Sequence, residues 1–276
     1  NPRTQLCASM LIGAALLCAT DAAAQGLTSL TGNIVPTGVV SAIIGTPIFI
    51  WIARKSLSAL ARGGAQPGQA SGMVRSSLKK LSIPGLIMLA AAMLLLIVLN
   101  FTFINREGIW TFALADKFEL LLRIPRFITA AAAGAGLAAA GVILQRLIRN
   151  PLASPDILGV SSGAAFAMVV SALYFGGAVG SLGSLTAAGG SFVVLLVLLG
   201  LSKSSRFSPD VVVLMGIAIS AFLDSAVTLA LSRGTMENYF ILQWLSGSTY
   251  RTTPLAAAML LGAVLVLISI AFAASR

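Results

Sequence analysis

Histidine is absent from this 276-residue chain, and only 8 residues are Asp or Glu. Without imidazole there is no His general base and no His metal ligand. The two cysteines, Cys7 and Cys18, lie in one apolar run. Their separation along a helix would be roughly 16 Å, too far for a disulfide, and they say nothing about redox compartment. There is no nucleophile–base set, no metal-ligand cluster and no P-loop pattern, so the chain is not expected to hydrolyse ATP or to hold a cofactor or metal. Charge is scarce as well. Charged residues make up 9% of the chain, against about 25% in an average soluble protein. Hydrophobic residues reach 58%, with a mean hydropathy of +0.98. So few charges cannot cover so much apolar surface, which excludes a soluble enzyme, a disordered tail and a secreted disulfide scaffold. An integral membrane protein built of helices remains.

The net charge is +10. Such a surplus can serve nucleic acid. Here the basic residues fall between apolar runs, so topology is the better reading and no nucleic-acid partner is expected. A bilayer span needs roughly 20 apolar residues. Eight runs qualify: 5–24, 35–53, 83–104, 124–147, 157–175, 181–201, 210–231 and 254–274. The run 83–104 is the clearest, and 157–175, short and rich in Gly, Ala and Ser, the weakest. The expected fold class is all-α: a polytopic helical membrane protein with about eight transmembrane helices. The first run, preceded by Arg3 and followed by Asp21-Ala-Ala-Ala-Gln25, also has the outline of a signal peptide. The start at Asn1 and the short path into the next span favour a transmembrane helix.

Orientation follows from the basic residues. With the N-terminus cytoplasmic, inner segments hold twelve of them and outer segments six: Arg106, Lys117, Arg123, Arg126, Arg233 and Arg251. The inner acids are only Asp156 and Asp210, whereas Glu107, Asp116, Glu119 and Glu237 nearly balance the outer bases. Both ends of the chain are therefore expected in the cytoplasm. Residues 54–82, with Gly63-Gly64, Pro67, Gly68 and six basic residues, read as a flexible cytoplasmic linker between two membrane units.

Several residues stand out inside this frame. Ser154-Pro155-Asp156 and Ser208-Pro209-Asp210 each precede a span. Ser can cap, Pro suits the first helical position, and Asp meets the positive helix end. They are either simply good helix starts or gate elements at the cytoplasmic mouth. Thr253-Pro254 does something similar on the outside. Small residues at 130–141, 159–165 and 183–190 allow close helix approach, or leave room for a large solute. Asp224 is the only acid deep inside a span; it either faces a wet pathway or is a buried carboxyl satisfied by Ser220, Thr228 or a neighbouring helix. Asp21, near an outer helix end, is expected at the interface. Arg123 and Arg126 either snorkel to headgroups or pair with carboxylates of a soluble partner.

Leu122-Arg-Ile-Pro-Arg126, Gly134-Ala-Gly-Leu137, Gln145-Arg-Leu-Ile-Arg-Asn-Pro-Leu-Ala153, the run from Ser154 to Ala165, and Gln243-Trp-Leu-Ser-Gly-Ser-Thr-Tyr250 resemble the iron-siderophore and cobalamin ABC-importer permease family. The stretch 145–165 is the most specific of these. Residues Val35 to Trp51 resemble the last helix of a family member. The resemblance implies that residues 1–55 are the last two helices of a first permease unit, 56–82 a cytoplasmic linker, and 83–276 the first six helices of a second. Such tandem fusion is similar to the ferric-hydroxamate branch of the family. It also implies that a coupling loop and further helices would follow Arg276, so the chain is expected to be part of a longer permease.

What the resemblance implies for function is the membrane part of an ATP-binding-cassette importer in the bacterial inner membrane. It would carry ferric siderophore, most simply of hydroxamate type. Its partners would be cytoplasmic ATPase subunits, a periplasmic siderophore-binding protein and the lipid bilayer. Arg123 and Arg126 match family arginines that dock the binding protein. Ser208 and Pro209 fall where the family places a cytoplasmic gate, although Pro replaces a small polar residue there. Helix 210–231, with Asp224, matches one that lines the translocation pathway. The same machine carrying cobalamin or haem, and an ion-coupled secondary transporter without an ATPase, are the alternatives.

Overall fold

A computed structural model describes residues 2–47, 50, 91, 94–95, 97–98, 101–106, 109–113, 116–148, 153–175, 183–203, 208–232, 242, 245–250 and 252–274. The expected linker 54–82 and most of the third span lie outside the described residues. In chain order the elements are α1 (Pro2–Thr31), α2 (Thr37–Pro47), β1 (Phe103–Arg106), β2 (Ile109–Phe112), α3 (Lys117–Ile148), α4 (Val160–Phe175), α5 (Gly183–Ser202), α6 (Pro209–Leu231) and α7 (Pro254–Ala274). Five described helices, α1, α3, α5, α6 and α7, are long and apolar enough to cross a bilayer, while α2 and α4 are shorter apolar helices. The protein is a polytopic helical membrane protein.

Several boundaries differ from the sequence expectation, each for a local reason. α1 runs past residue 24 to Thr31, because Ala22-Ala23-Ala24-Gln25 favours helix. It stops at Gly32, whose φ of 70° is the left-handed conformation of a helix C-terminus, and Gly32 N–H donates to Thr28 O at 3.0 Å. The third span was expected to reach Ile104. Helix ends by Thr102, and Phe103–Arg106 pairs antiparallel with Ile109–Phe112, with Phe103 opposite Phe112. Phe and Ile in both segments, with Trp and Thr in the second, suit strands. α3 starts at Lys117, ahead of the expected residue 124, because Glu119 Oε2 accepts from Asp116 N–H at 2.9 Å. That is half of a capping box. Pro125 lies inside α3 and withholds the N–H that would bond back one turn.

The largest correction concerns Ser154-Pro155-Asp156. These residues do not open a helix; they enter a turn over 155–159, and α4 begins only at Val160. Asp156 serves the turn: its Oδ1 accepts from Ser161 Oγ, and its carbonyl accepts from Gly159 N–H at 3.0 Å. Gly159 has φ +78°, which suits glycine and interrupts the helical run. The fifth span therefore yields a helix of 16 residues. Ser208-Pro209-Asp210 behaves as expected at Pro209, the first helical residue of α6, but Ser208 makes no side-chain cap bond. Thr253 does cap, accepting from Ala256 N–H at 3.2 Å. Thr253→Ala should thus lower stability by about 0.5–2 kcal/mol, whereas Ser208→Ala should lower it by less than about 0.5 kcal/mol. Thermal unfolding of both variants in detergent checks this.

The chain divides into two compact units: residues 1–139 with 247–276, and residues 140–246. In the first, α1 and α3 approach at Gly13 and Gly134. A Cβ at Gly13 would stand 2.7 Å from the Ala138 Cβ, so only glycine permits this approach. Gly136 faces Val264 of α7 in the same unit. In the second, Ile148, Ala153, Leu158 and Leu198 form a buried cluster with Val212, Met215 and Ile219 packed on it. α4 meets α5 at Gly163 and Gly190, where a Cβ on Gly163 would lie 2.9 Å from Gly190 O. Ser191 Oγ donates to Val160 O across the same pair at 2.9 Å. The outer helix faces stay apolar: Leu255, Leu265, Val266 and Leu267 of α7 are exposed, as expected where lipid is the solvent.

Candidate functional site

The first unit holds a polar cluster inside apolar helices. Asp21, on α1, is 2% exposed. Its Oδ1 accepts from Thr37 Oγ1, at the start of α2, at 2.9 Å. The same oxygen accepts from Thr249 Oγ1, and Oδ2 accepts from Gln25 Nε2 at 2.8 Å. A buried carboxylate is tolerated only with such donors. The expectation of an interfacial Asp21 is therefore corrected. α1 continues ten residues beyond it, which carries it away from the helix end and into the packed interior. The segment around Thr249 is fixed from a second direction: Gly38 N–H donates to Gly247 O at 2.9 Å, and Gly247 has φ 69°, which glycine adopts without strain.

Arg126 adjoins this cluster. Its guanidinium carbon sits 4.4 Å from the centre of the Tyr250 ring, a cation–π contact. Its Nη2 donates to the Tyr250 carbonyl at 3.3 Å. Arg123 lies one turn earlier on α3 and, like Arg126, is half-buried. Both sit inside the helix rather than at its outer end, because α3 begins at Lys117. Asp21, Arg126, Thr249 and Tyr250 thus meet in one cluster of the first compact unit.

The second unit holds the other candidates. Among the described residues, Asp224 is exposed on α6. Ser220 Oγ donates instead to Gly216 O at 2.9 Å, and Thr228 Oγ1 to the Asp224 main-chain carbonyl at 2.8 Å. Ser208 and Pro209 stand at the start of the same helix. Asp224 is then roughly 22 Å further along the axis, so the three do not form one constellation. An apolar cavity of about 810 Å³ opens between α4, α5 and α6, lined by Phe166, Val170, Val193, Val197 and Phe222 among others. Among the described residues, its polar lining is Ser171 and Thr186, and Asp224 does not line it.

Reading the sequence placed Asp224 inside a span, Arg123 and Arg126 at the outer end of one, and Ser208 and Pro209 in the turn before one, but missed the contacts of Asp21, Thr37, Thr249 and Tyr250. A signal was present. Asp21 is the one acid of the first apolar run, and an acid there needs partners.

The sequence matches the FecCD transport family over residues 1–55 and 77–276. The chain belongs to that family, a class of polytopic transport permeases. Among individual relatives, it is 33% identical over 256 residues to the iron(3+)-hydroxamate import system permease protein FhuB of Escherichia coli (strain K12), covering 91% of this chain and 37% of that protein. The vitamin B12 import system permease protein BtuC of Serratia proteamaculans is 31% identical over 140 residues, covering 50% of this chain and 42% of that protein. A solved metal-chelate type ABC transporter in an inward-facing conformation superposes with a TM-score of 0.53 at 28% identity, covering 63% of this chain and 54% of that one. The chain thus spans a little over a third of the length of the hydroxamate permeases it matches.

Proposed function

We propose that this chain is part of the membrane-spanning permease of an ATP-binding-cassette importer, and that its cargo is a ferric siderophore of hydroxamate type. The observation that carries this reading is the alignment of 91% of the chain with a hydroxamate permease. In this reading residues 1–55 end a first permease unit, 56–82 form a cytoplasmic linker and 83–276 open a second unit. The family match breaks between residues 55 and 77, which supports a linker there. The protein lies in the bacterial inner membrane with both ends of the chain cytoplasmic.

Transport proceeds by alternating access. A periplasmic siderophore-binding protein docks outside, partly on Arg123 and Arg126, whose guanidinium groups pair with its carboxylates. ATP binding closes separate cytoplasmic ATPase subunits, and the helices rock to release solute inside. Ser208 and Pro209 contribute to the cytoplasmic gate. Asp224 contributes to the pathway, a role supported by its exposure, among the described residues, on a membrane helix, where an acid is costly against lipid. The chain supplies a route, while ATP hydrolysis belongs to the ATPase subunits.

The test is uptake of radiolabelled ferric hydroxamate by vesicles bearing the full permease, its ATPase and binding protein. Uptake should require ATP. Uptake driven by a proton gradient after ATP depletion overturns the reading. The likeness to a B12 permease favours cobalamin as a second cargo, and cobalamin uptake in place of iron would select it. Asp224→Asn should lower the initial uptake rate by roughly tenfold at unchanged membrane yield. A wild-type rate removes Asp224 from the pathway.

A further inference from the structure

A helix that gates a pathway moves only as its packing allows. Ser208 makes no side-chain cap bond at the start of α6, so the end that carries Ser208 and Pro209 is not fixed by its own cap. The turn over 155–159 reaches it instead. Gly216 is buried on α6, roughly 10 Å along the axis from Pro209. A Cβ there would stand 2.5 Å from Ile157 O and 2.8 Å from Leu158 Cα. The turn therefore lies main chain against main chain on the helix, with no side chain between them. Gly159 completes the fit: a Cβ on it would come 3.1 Å from Ser220 Oγ and 3.4 Å from Gly216 O. The Ser220 hydroxyl spans the two segments, 2.9 Å from Gly216 O and 3.4 Å from Asp156 O, a shared hydrogen bond. Beside this contact Leu158, 4% exposed, joins the buried cluster on which Val212, Met215 and Ile219 of α6 pack.

We propose that the 155–159 turn is the seat of the gate helix, and that Gly216 and Ser220 are positioning residues that set where Ser208 and Pro209 stand. The proposal rests on the gate role of Ser208 and Pro209 and adds residues further along α6. Side chains between two helices can turn to absorb a tilt, but two backbones in contact cannot. Such a seat admits a few discrete positions rather than a continuous range, which is what alternating access asks of a gate. The turn is itself firm: Leu158 N–H donates to Pro155 O at 3.2 Å and Gly159 N–H to Asp156 O at 3.0 Å. It is also tied into α4, because Gly163 N–H donates to Gly159 O at 2.9 Å. All of these residues lie within 140–246, one compact unit. In the reading above they also belong to one permease unit, so the contact joins successive spans of the same unit.

The test uses the full permease with its ATPase subunits in nanodiscs, carrying Ser208→Cys as its single cysteine, and reads the rate of maleimide labelling there. In this parent, ATP binding should change the rate by about fivefold or more. Gly216→Ala should lift α6 from the turn and raise the ATP-free rate by about fivefold. Gly190→Ala is the control, because its Cβ meets backbone at the α4–α5 crossing and not on α6. It should lower the thermal midpoint about as much as Gly216→Ala, yet leave labelling within about twofold of the parent. Ser220→Ala removes one hydroxyl and adds no clash, and should raise the rate by about twofold to threefold. It decides the matter if Gly216→Ala does not reach the membrane. Unchanged labelling in the deciding variant overturns the seat. So does an equal rise in Gly190→Ala, since that rise is then general loosening. In both cases the gate role of Ser208 and Pro209 stands. Parent labelling that ignores ATP overturns the gate role instead, and the positioning role with it.

Discussion

Gly190→Leu should separate α4 from α5 and lower stability by about 1–3 kcal/mol, the usual range for overpacking. At this crossing the obstacle is backbone. A Cβ on Gly190 would press on Gly163 O and on the Ala167 Cβ, with the Gly163 carbonyl carbon at 3.1 Å. A main-chain carbonyl cannot swing aside as a side chain can, so the helices must part. Parting them also stretches the bond from Ser191 Oγ to Val160 O, adding about 0.5–1.5 kcal/mol. The neighbouring position supplies the control. A Cβ at Gly189 meets nothing within 4 Å, so Gly189→Leu should shift stability by less than about 0.5 kcal/mol. Thermal unfolding midpoints in one detergent compare them. Equal midpoints would mean that Gly190 does not hold α4 against α5.

Reversing both arginines, Arg123→Glu with Arg126→Glu, should weaken binding-protein affinity by on the order of 100-fold, since like charges then face each other across the interface. The loss should shrink as salt rises, because exposed charges are screened beyond about 8–10 Å. Membrane insertion should not change. The two residues are not equivalent. Arg126 is held by the Tyr250 ring and carbonyl, so its single reversal also releases the loop, and the single reversal of Arg123 should cost less. Surface plasmon resonance on nanodiscs at two ionic strengths measures both effects. An affinity insensitive to the double reversal would falsify the docking role.

Much of this architecture was legible in the chain because lipid imposes a simple demand: a backbone without water must satisfy itself, and helices do so. The run 254–274 appears as α7 with the same bounds, and 210–231 as α6 starting one residue earlier. What escaped was local chemistry that hydropathy averages away. Asp116 and Glu119 extend α3 upstream of its apolar run. The hydroxyl of Ser161 and the left-handed Gly159 convert an expected helix start at Ser154 into a turn. Neither effect changes the mean polarity of a window, so neither appears in a count of apolar residues.

The same contrast separates the candidate sites. Arg123, Arg126, Ser208, Pro209 and Asp224 draw notice in the sequence because charge, or Pro beside a span, is rare in such a chain. Composition and spacing alone determined the helical membrane class, because transfer of side chains into lipid depends on residue type and run length. The union of Asp21, Thr37, Thr249 and Tyr250 was decided only by tertiary structure. These residues come from three segments, and Asp21 and Thr249 are 228 positions apart in the chain. A hydrogen bond reads distance in space, and no pattern along the chain encodes that distance.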